Sequence, residues 1–310
     1  MMGMRLRSSL WKPDIAIDLG TAMTRISSGT RNLLKVPSMV RGQYVLNSGV
    51  IKDFSSAVEL LEPLLFRVRK FGIFRPNAVT CVPSDITFEE LDMLKACIAK
   101  AGASTVCIVL EPLAAAIGAG MEVASPYAGM VLDIGEGITD CAVIRSGRII
   151  SKRAVRVGCF NFRHRVVNIM ETKMKIRISD IEAERIIREI GVERNITPNS
   201  KNINVRNVQN LSTSDSNVTR KEIHECLEPI TVEILDVAQK MLHDLSPNIG
   251  CEIIENGIYL SGGGALLKGM RKRLEETTHI SVKVASNPLD AVVAGAREML
   301  PIVSLLNKNS

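Results

Sequence analysis

Two short segments combine an aspartate, a glycine turn and a threonine, the residue types that can hold a phosphate group and its metal ion. The first is D-L-G-T at 18–21, and the second is D-I-G-E-G-I-T at 133–139. Glycine lets backbone N–H groups approach an anion closely, a hydroxyl adds a hydrogen bond, and carboxylate oxygens favour Mg²⁺. Each segment follows a β-rich run, so both aspartates are expected at strand ends. From opposing domains they could hold one Mg²⁺ through its water molecules.

A third glycine turn, S-G-G-G at 261–264, follows another strand-like run and offers close backbone approach to an adenosine. Any one of these three segments alone is most often just a tight turn. Their order and separations together point to nucleotide binding.

The elements around these turns indicate a duplicated α/β architecture. The strand–turn–strand design at 14–26 returns at 129–149, which predicts two similar domains facing one another. Between them, strand-like runs flank a helix predicted at about 88–101, as in a largely parallel or mixed sheet. In the second half, we predict a helix at 181–190 and a long helix that starts at a capping box of Thr219 and Glu222. The polar stretch 195–217 between them alternates like an exposed strand, which indicates a small β-rich insertion.

Composition narrows the class of protein. The chain has 310 residues, 46% hydrophobic and 23% charged, as in a globular protein. A formal charge of +6 is spread over 39 basic and 33 acidic residues. That excess suits an anionic ligand or a membrane surface, or simply aids solubility, and it is too diffuse to predict a nucleic-acid partner. The seven cysteines lack C-x-x-C pairs and predict buried thiols in a reducing compartment. With no run of transmembrane length and no signal-peptide core, we expect a cytoplasmic protein.

The motif order is similar to that of the superfamily of actin and the heat-shock-chaperone ATPases. It runs D-L-G-T, E-P-x-A-A-A, D-x-G-x-G and S-G-G-G-A. Within that superfamily the chain resembles the MreB family, the bacterial actin-like proteins that determine rod shape. The segments that carry this resemblance are C-V-P-S-D-I-T (81–87), L-E-P-L-A-A-A-I-G-A-G (110–120), A-E-R-I-I-R-E-I-G (183–191), L-S-G-G-G-A-L-L-K-G (260–269) and N-P-L-D-A-V-V-A-G-A (287–296). The match covers nearly everything from about Ile15 to Leu300.

The resemblance implies an actin-like ATPase fold, with two similar α/β domains around a nucleotide cleft. Domain I would comprise 13–125 and about 290–310. Domain II would comprise 126–289, with the small insertion subdomain at about 171–228. MreB relatives carry a small subdomain of domain I between Ser38 and the segment 49–54. Only about ten residues intervene here, so this subdomain is expected to be largely missing.

The resemblance also implies the ligands, ATP or ADP with Mg²⁺, and the residues that bind them. Asp18 and Asp133 would serve Mg²⁺, and Glu111 would position the attacking water. Glu184 would reach the ribose and Arg188 would lie near the adenine, although the two also fit an ordinary exposed helix pair four residues apart. The residues expected to contact the nucleotide are Asp18, Gly20, Thr21, Ala22, Gly135, Gly137, Thr139, Gly158, Glu184, Arg188, Gly262, Gly263, Gly264 and Ala265.

Three departures from the family pattern cluster on the phosphate side. Glu136 replaces a glycine and would repel a γ-phosphate unless it points away. Ile138 replaces a threonine hydroxyl. The later G-G-D turn of relatives reads Gly158-Cys159-Phe160 here, which loses a glycine and a carboxylate. We therefore expect nucleotide binding to be retained and ATP hydrolysis to be slow at best.

Two segments suit a membrane surface. In the segment 1–12, Met2, Leu6 and Leu10 stack on one helical face beside Trp11. The second is F-G-I-F at 71–74, flanked by basic residues. Alternatively, the segment 1–12 is a frayed tail and the phenylalanines of 71–74 belong to the core. MreB relatives use such segments at the inner leaflet, which implies a peripheral location at the inner face of the cell membrane.

The leading hypothesis is a membrane-associated, ATP-binding cytoskeletal protein that acts in cell-shape determination. Its expected partners are further copies of itself in an oligomer or filament, a full-length MreB, the inner-membrane surface and membrane morphogenesis proteins. One alternative is a non-filamentous chaperone-type ATPase like the EutJ group, which is also short and lacks the small subdomain. Another is a non-hydrolysing scaffold that pairs with a full-length MreB.

Overall fold

The computed structural model describes residues 14–29, 32–194, 202–206 and 213–306. The elements of the first half are β1 (Asp14–Leu19), β2 (Met23–Ser28), β3 (Asn32–Pro37), β4 (Met39–Val40), β5 (Gln43–Tyr44), β6 (Leu46–Asn47), β7 (Val50–Ile51), α1 (Phe54–Arg67), β8 (Asn77–Val82), α2 (Phe88–Lys100), β9 (Thr105–Leu110) and α3 (Glu111–Gly118). Those that follow are β10 (Gly129–Ile134), β11 (Thr139–Arg145), β12 (Arg148–Val155), α4 (Cys159–Met174), α5 (Asp180–Ile190), β13 (Asn202–Arg206), β14 (Thr213–Thr219), α6 (Arg220–His243), α7 (Pro247–Asn256), β15 (Ile258–Ser261), α8 (Met270–Thr278), β16 (Val282–Val284) and α9 (Ala291–Leu306).

Two mixed sheets of the same design form the body of the described chain, as the sequence predicts. Their strand orders are β3-β2-β1-β8-β9 and β12-β11-β10-β15-β16. In each sheet the first three strands pair antiparallel, and the central strand then pairs parallel with the next. The central strands β1 and β10 are almost wholly buried, which explains their mainly apolar sequences before Asp18 and Asp133, since both faces are covered.

Helices α3 and α9 cross behind the two sheets and join them. α3 packs Ala115 and Ala116 against the second sheet, while α9 packs Val293 against the first. The two helix backbones touch at the crossing. A Cβ atom on Gly118 would lie 1.9 Å from the Ala291 carbonyl oxygen, and one on Gly295 equally close to the Ala114 carbonyl oxygen. Only glycine fits at these two positions, so the crossing holds the halves of the molecule in close contact.

The segment between β3 and α1 is short, as expected from the sequence, but it is not a single turn. It forms two small hairpins, β4 with β5 and β6 with β7. The predicted insertion is represented in the described residues by an antiparallel pair, β13 and β14.

The capping prediction is confirmed, since Thr219 caps α6 in a capping box with Glu222. α2 begins in the same way, at a capping box of Thr87 and Glu90. Among the cysteines, Cys251 is exposed, contrary to the prediction of buried thiols. No described helix is long and apolar enough to span a bilayer.

Candidate functional site

The glycine turns that follow β1, β10 and β15 open onto one cleft of about 540 Å³, a volume typical of small-molecule sites. The two aspartate-bearing turns meet at its floor. A Cβ atom on Gly137 would lie 2.7 Å from the Ser48 Cα and 3.1 Å from the Thr21 hydroxyl oxygen. Eleven of the sequence-predicted site residues line the cleft: Asp18, Gly20, Thr21, Ala22, Glu111, Asp133, Gly135, Gly137, Glu184, Gly262 and Gly263.

The other five predicted residues lie behind or beside this lining. Thr139 is fully buried, and its hydroxyl donates a 2.8 Å hydrogen bond to the Val157 carbonyl. Gly264 packs against Ile134, whose side chain would lie 2.2 Å from an added Cβ atom, and Ala265 is buried beside it. Arg188 is ion-paired with Glu184 at 2.5 Å on the exposed face of α5.

Gly158, the fifth, supports the second turn from below. A Cβ atom there would lie 2.6 Å from the Gly135 carbonyl oxygen, so no larger residue fits. The backbone N–H groups of Cys159 and Phe160 donate to the carbonyls of Gly135 and Glu136, at 3.0 and 2.8 Å. The start of α4 therefore fixes the backbone of the turn.

The carboxylate of the first turn has a partner that sequence reasoning missed. Asp18 is buried and accepts a hydrogen bond from Arg25 at 3.2 Å, while Arg25 also donates to Asp290 at 3.1 Å. Burial raises the pKa of Asp18, and the Arg25 charge partly offsets that rise. Arg25 stands directly opposite Asp18 in the β1–β2 ladder. The register of the strand pair was therefore the signal that could have revealed it.

The second turn and the start of α3 bring two more carboxylates to the same cleft. Asp133 accepts a 2.5 Å hydrogen bond from the Ser261 hydroxyl, and burial raises its pKa to about 6. Burial, followed by the charges of Asp18, Asp140 and Asp133, raises the pKa of Glu111 well above its usual range. Such converging buried carboxylates fit a hard cation, which would relieve their repulsion. Within the described ranges no cluster of three or more acidic, histidine or cysteine side chains could hold a metal directly. The expected arrangement needs only two aspartates acting through water.

The second turn also contains a charge pair that changes the interpretation of Glu136. Its side chain does line the cleft, but Arg163 on α4 holds it in a two-pronged ion pair. One Arg163 N–H donates to Glu136 Oε2 at 3.1 Å and a second donates to Oε1. Both side chains are more than four-fifths buried. Glu136 is therefore neither turned away nor uncompensated. Nothing local in the sequence signals Arg163, 27 residues further along the chain.

Polar contacts connect the two halves beside the turns. Ser84, just after β8, donates through its backbone N–H and its hydroxyl to Asp140 on β11, at 2.7 and 2.5 Å. Arg156 pairs with Asp85 at 2.8 Å and Glu90 at 3.1 Å. Burial raises the pKa of Asp140 to about 7, against the lowering effect of the Ser84 hydrogen bonds.

Two sheets of one design around a cleft lined by glycine turns define an actin-like fold. The crystal structure of MreB5 of Spiroplasma citri bound to ADP shares it with a TM-score of 0.84 at 25% identity, covering 96% of this chain and 99% of that one. The MreB/Mbl protein family matches residues 33–308, so the chain belongs to that family.

Named relatives agree with this assignment. The cell shape-determining protein Mbl of Bacillus subtilis is 31% identical over 95% of this chain and 98% of its own length. The cell shape-determining protein MreB of Escherichia coli K12 is 32% identical over 87% of this chain and 79% of its own.

Proposed function

We propose that the chain binds an adenine nucleotide with Mg²⁺ in the cleft and acts as an actin-like cytoskeletal protein in cell-shape determination. The convergence of two glycine turns with buried Asp18, Asp133 and Glu111 on one cleft carries the proposal. MreB5, a structural neighbour at 25% identity, has been solved with ADP and with AMPPNP. Asp18 and Asp133 would hold Mg²⁺ through water molecules, and the ion would screen the phosphate charge. Glu111 orients the attacking water.

Membership of the MreB/Mbl family also supports self-association into filaments, alone or with a full-length MreB. It favours this over an EutJ-like chaperone role. Hydrolysis is expected to be slow because Ile138, buried at the cleft wall, offers no hydroxyl to the reacting phosphate. A slowly hydrolysing protein would act more as a stable scaffold than as a dynamic polymer.

A contact with the inner face of the cell membrane is proposed for the loop before β8. Phe71 and Ile73 are 70% and 74% exposed, and Lys70 lies over the Phe71 ring at 5.7 Å. Burying each apolar side chain contributes about 1.5–3 kcal/mol, and each nearby Lys or Arg about 1 kcal/mol at an anionic surface. The second candidate, the amphipathic segment 1–12, lies outside the described residues.

Calorimetric titration with ATP and ADP, with and without Mg²⁺, tests the site. Binding that needs Mg²⁺ is expected, and no binding of either nucleotide would overturn the proposal. Electron microscopy of the same samples on anionic vesicles tests assembly.

Co-sedimentation with anionic vesicles tests the membrane contact. Deleting 1–12 and replacing Phe71 and Phe74 by Ser should abolish it, and Phe71→Ser with Ile73→Ser in the full chain isolates the loop. Phe88→Ser is the matched control, because Phe88 is 85% exposed but lies outside this basic loop. Unchanged sedimentation of all variants would contradict the membrane assignment.

A further inference from the structure

The cleft has an excess of negative charge where an anion is proposed to bind. Its acidic lining residues are Asp18, Glu111, Asp133, Glu136, Asp180 and Glu184. Among the described lining residues, the basic ones are Arg25 and Arg163. A polyphosphate in such a cleft needs positive charge beyond that of one Mg²⁺.

The two arginines differ in the number of carboxylates with which they pair. Arg25 bridges two carboxylates from different elements, Asp18 and Asp290, and thereby holds the first turn to the start of α9. The side-chain hydrogen bonds of Arg163 go to a single carboxylate, that of Glu136. Exchanging the partner of Arg163 therefore breaks one ion pair, while the backbone hydrogen bonds between the second turn and the start of α4 remain.

The Glu136–Arg163 pair also joins a rigid residue to a flexible one. The backbone of Glu136 is fixed between Gly135 and Gly137 by hydrogen bonds from the start of α4. Arg163 reaches it from the next turn of α4 on a long side chain. A guanidinium matches a phosphate group as well as it matches a carboxylate, through the same pair of parallel N–H bonds.

We propose that Arg163 binds a phosphate of the nucleotide, and that Glu136 occupies its guanidinium when no nucleotide is bound. A nucleoside triphosphate displaces Glu136 from Arg163 more effectively than a diphosphate does. The inference rests on the proposed nucleotide site and adds to it a means of distinguishing the two nucleotides. The terminal phosphate of a triphosphate carries more charge than a carboxylate, so it competes for the guanidinium. A ligand without that phosphate leaves the ion pair closed. Glu136 thus lowers the affinity of Arg163 for any phosphate that is too weakly charged to displace it.

Calorimetric titration of four proteins with MgATP and MgADP tests this: the parent, Glu136→Gln, Arg163→Gln and the double variant. Glu136→Gln should bind ATP about tenfold more tightly, because no ion pair has to be opened. Arg163→Gln should bind ATP at least tenfold more weakly, with a smaller loss for ADP. The double variant should stay as weak as Arg163→Gln, because the phosphate ligand is gone.

Recovery of parental ATP affinity in the double variant would overturn the inference, since it would show that Arg163 merely neutralises Glu136. Equal losses for ATP and ADP in Arg163→Gln would overturn the proposed discrimination. Should Arg163→Gln fail to fold in thermal melts, Arg163→Lys replaces it in the cycle. Arg185→Gln is the matched control, because Arg185 is ion-paired on α5 with Glu182 and Glu189 and does not line the cleft.

These outcomes are distinguishable from failure of the proposed function. If the parent and all variants bind neither nucleotide, the nucleotide site itself is wrong and the inference falls with it. If the parent binds both nucleotides and the variants bind as the parent does, the site stands and only the role of Arg163 is wrong.

Discussion

The two aspartate-bearing turns occupy equivalent places in the two sheets but solve the problem of a buried carboxylate differently. Asp18 stands opposite Arg25 in the β1–β2 ladder, and Asp133 stands opposite Asp140 at the corresponding position of the β10–β11 ladder. In the first turn the cross-strand neighbour neutralises the aspartate. In the second turn the cross-strand neighbour, Asp140, is another acidic residue, and its carboxylate accepts hydrogen bonds from Ser84 of the other half.

Charge compensation is therefore largely local in the first turn and distributed in the second. The second turn depends on Ser261 from β15 for Asp133, on Ser84 for Asp140, and on Arg163 from α4 for Glu136. Any movement of the two halves changes the Ser84–Asp140 contact and leaves the Asp18–Arg25 pair intact. The electrostatics of the second turn therefore depend on the contact between the two halves.

The largest expected effect comes from Asp140→Asn. The raised pKa of Asp140, about 7 against an ordinary 3.8, means that the folded protein binds this proton more tightly than the unfolded chain. Stability from this group is thus highest below about pH 4 and falls as pH rises towards 7, by at most about 4 kcal/mol. Asparagine can accept the Ser84 N–H through its carbonyl oxygen and donate from its amide to the Ser84 hydroxyl, and it does not titrate, so urea unfolding of the variant should lack this decline.

Ser84→Ala sharpens the same experiment. The Ser84 hydrogen bonds lower the pKa of Asp140, so removing the hydroxyl should raise that pKa and steepen the decline of stability with pH. If the parent and Asp140→Asn lose stability in parallel between pH 4 and 7, the difference drawn between the two turns is wrong at this position.

The second prediction compares the two aspartates as ligands. Asp18→Asn and Asp133→Asn should each weaken binding of Mg²⁺–ATP by on the order of a hundredfold, about 2.7 kcal/mol. Each removes one of the two carboxylates proposed to hold the metal. Titration without Mg²⁺ is the control, and there the parent should bind as poorly as the two variants. Parental Mg²⁺-dependent affinity in both variants would place the metal elsewhere.

The architecture was largely predictable because it is carried by local signals. The repeated strand–turn–strand design predicted two similar sheets, and the capping box of Thr219 and Glu222 marked the start of α6. The glycines were harder to interpret. Gly264 and Gly158 are predicted to contact nucleotide, and in the structure their lack of a side chain is already required by close packing against Ile134 and Gly135. A glycine required by a close contact looks the same in a sequence as one required by a ligand.

The charges of the site could not be predicted, because their partners are distant in sequence. Glu136 looked like an obstacle to phosphate when read beside its own neighbours, and its partner Arg163 comes from another element. The same holds for Arg25 with Asp290, 265 residues apart. Only the Asp18–Arg25 pair follows from strand register, which sequence patterns specify poorly before the turn is known.

The third prediction concerns the cleft wall between the turns. Ile138→Thr should raise the single-turnover rate of ATP hydrolysis about tenfold, because a hydroxyl at the cleft can help to hold the attacking water. Adding Glu111→Ala should abolish the gain, since Glu111 is proposed to orient that water. Combining Ile138→Thr with Glu136→Gly tests whether the paired Glu136 also slows the reaction. An unchanged rate in Ile138→Thr would show that this side chain does not limit hydrolysis.

The smallest expected effects compare one threonine from each turn. The Thr21 hydroxyl lines the cleft and accepts a 2.9 Å hydrogen bond from the Gly49 N–H, while the Thr139 hydroxyl is fully buried and donates to the Val157 carbonyl. Thr21→Val should therefore lower nucleotide affinity several-fold. Thr139→Val should leave affinity unchanged and cost about 1 kcal/mol of unfolding free energy, because the Val157 carbonyl loses its side-chain donor. Titration and urea unfolding of both variants separate the two roles. If Thr139→Val weakens binding as much as Thr21→Val does, the second turn contacts the nucleotide through its threonine after all. The two turns would then share one mode of phosphate binding despite their different charge partners.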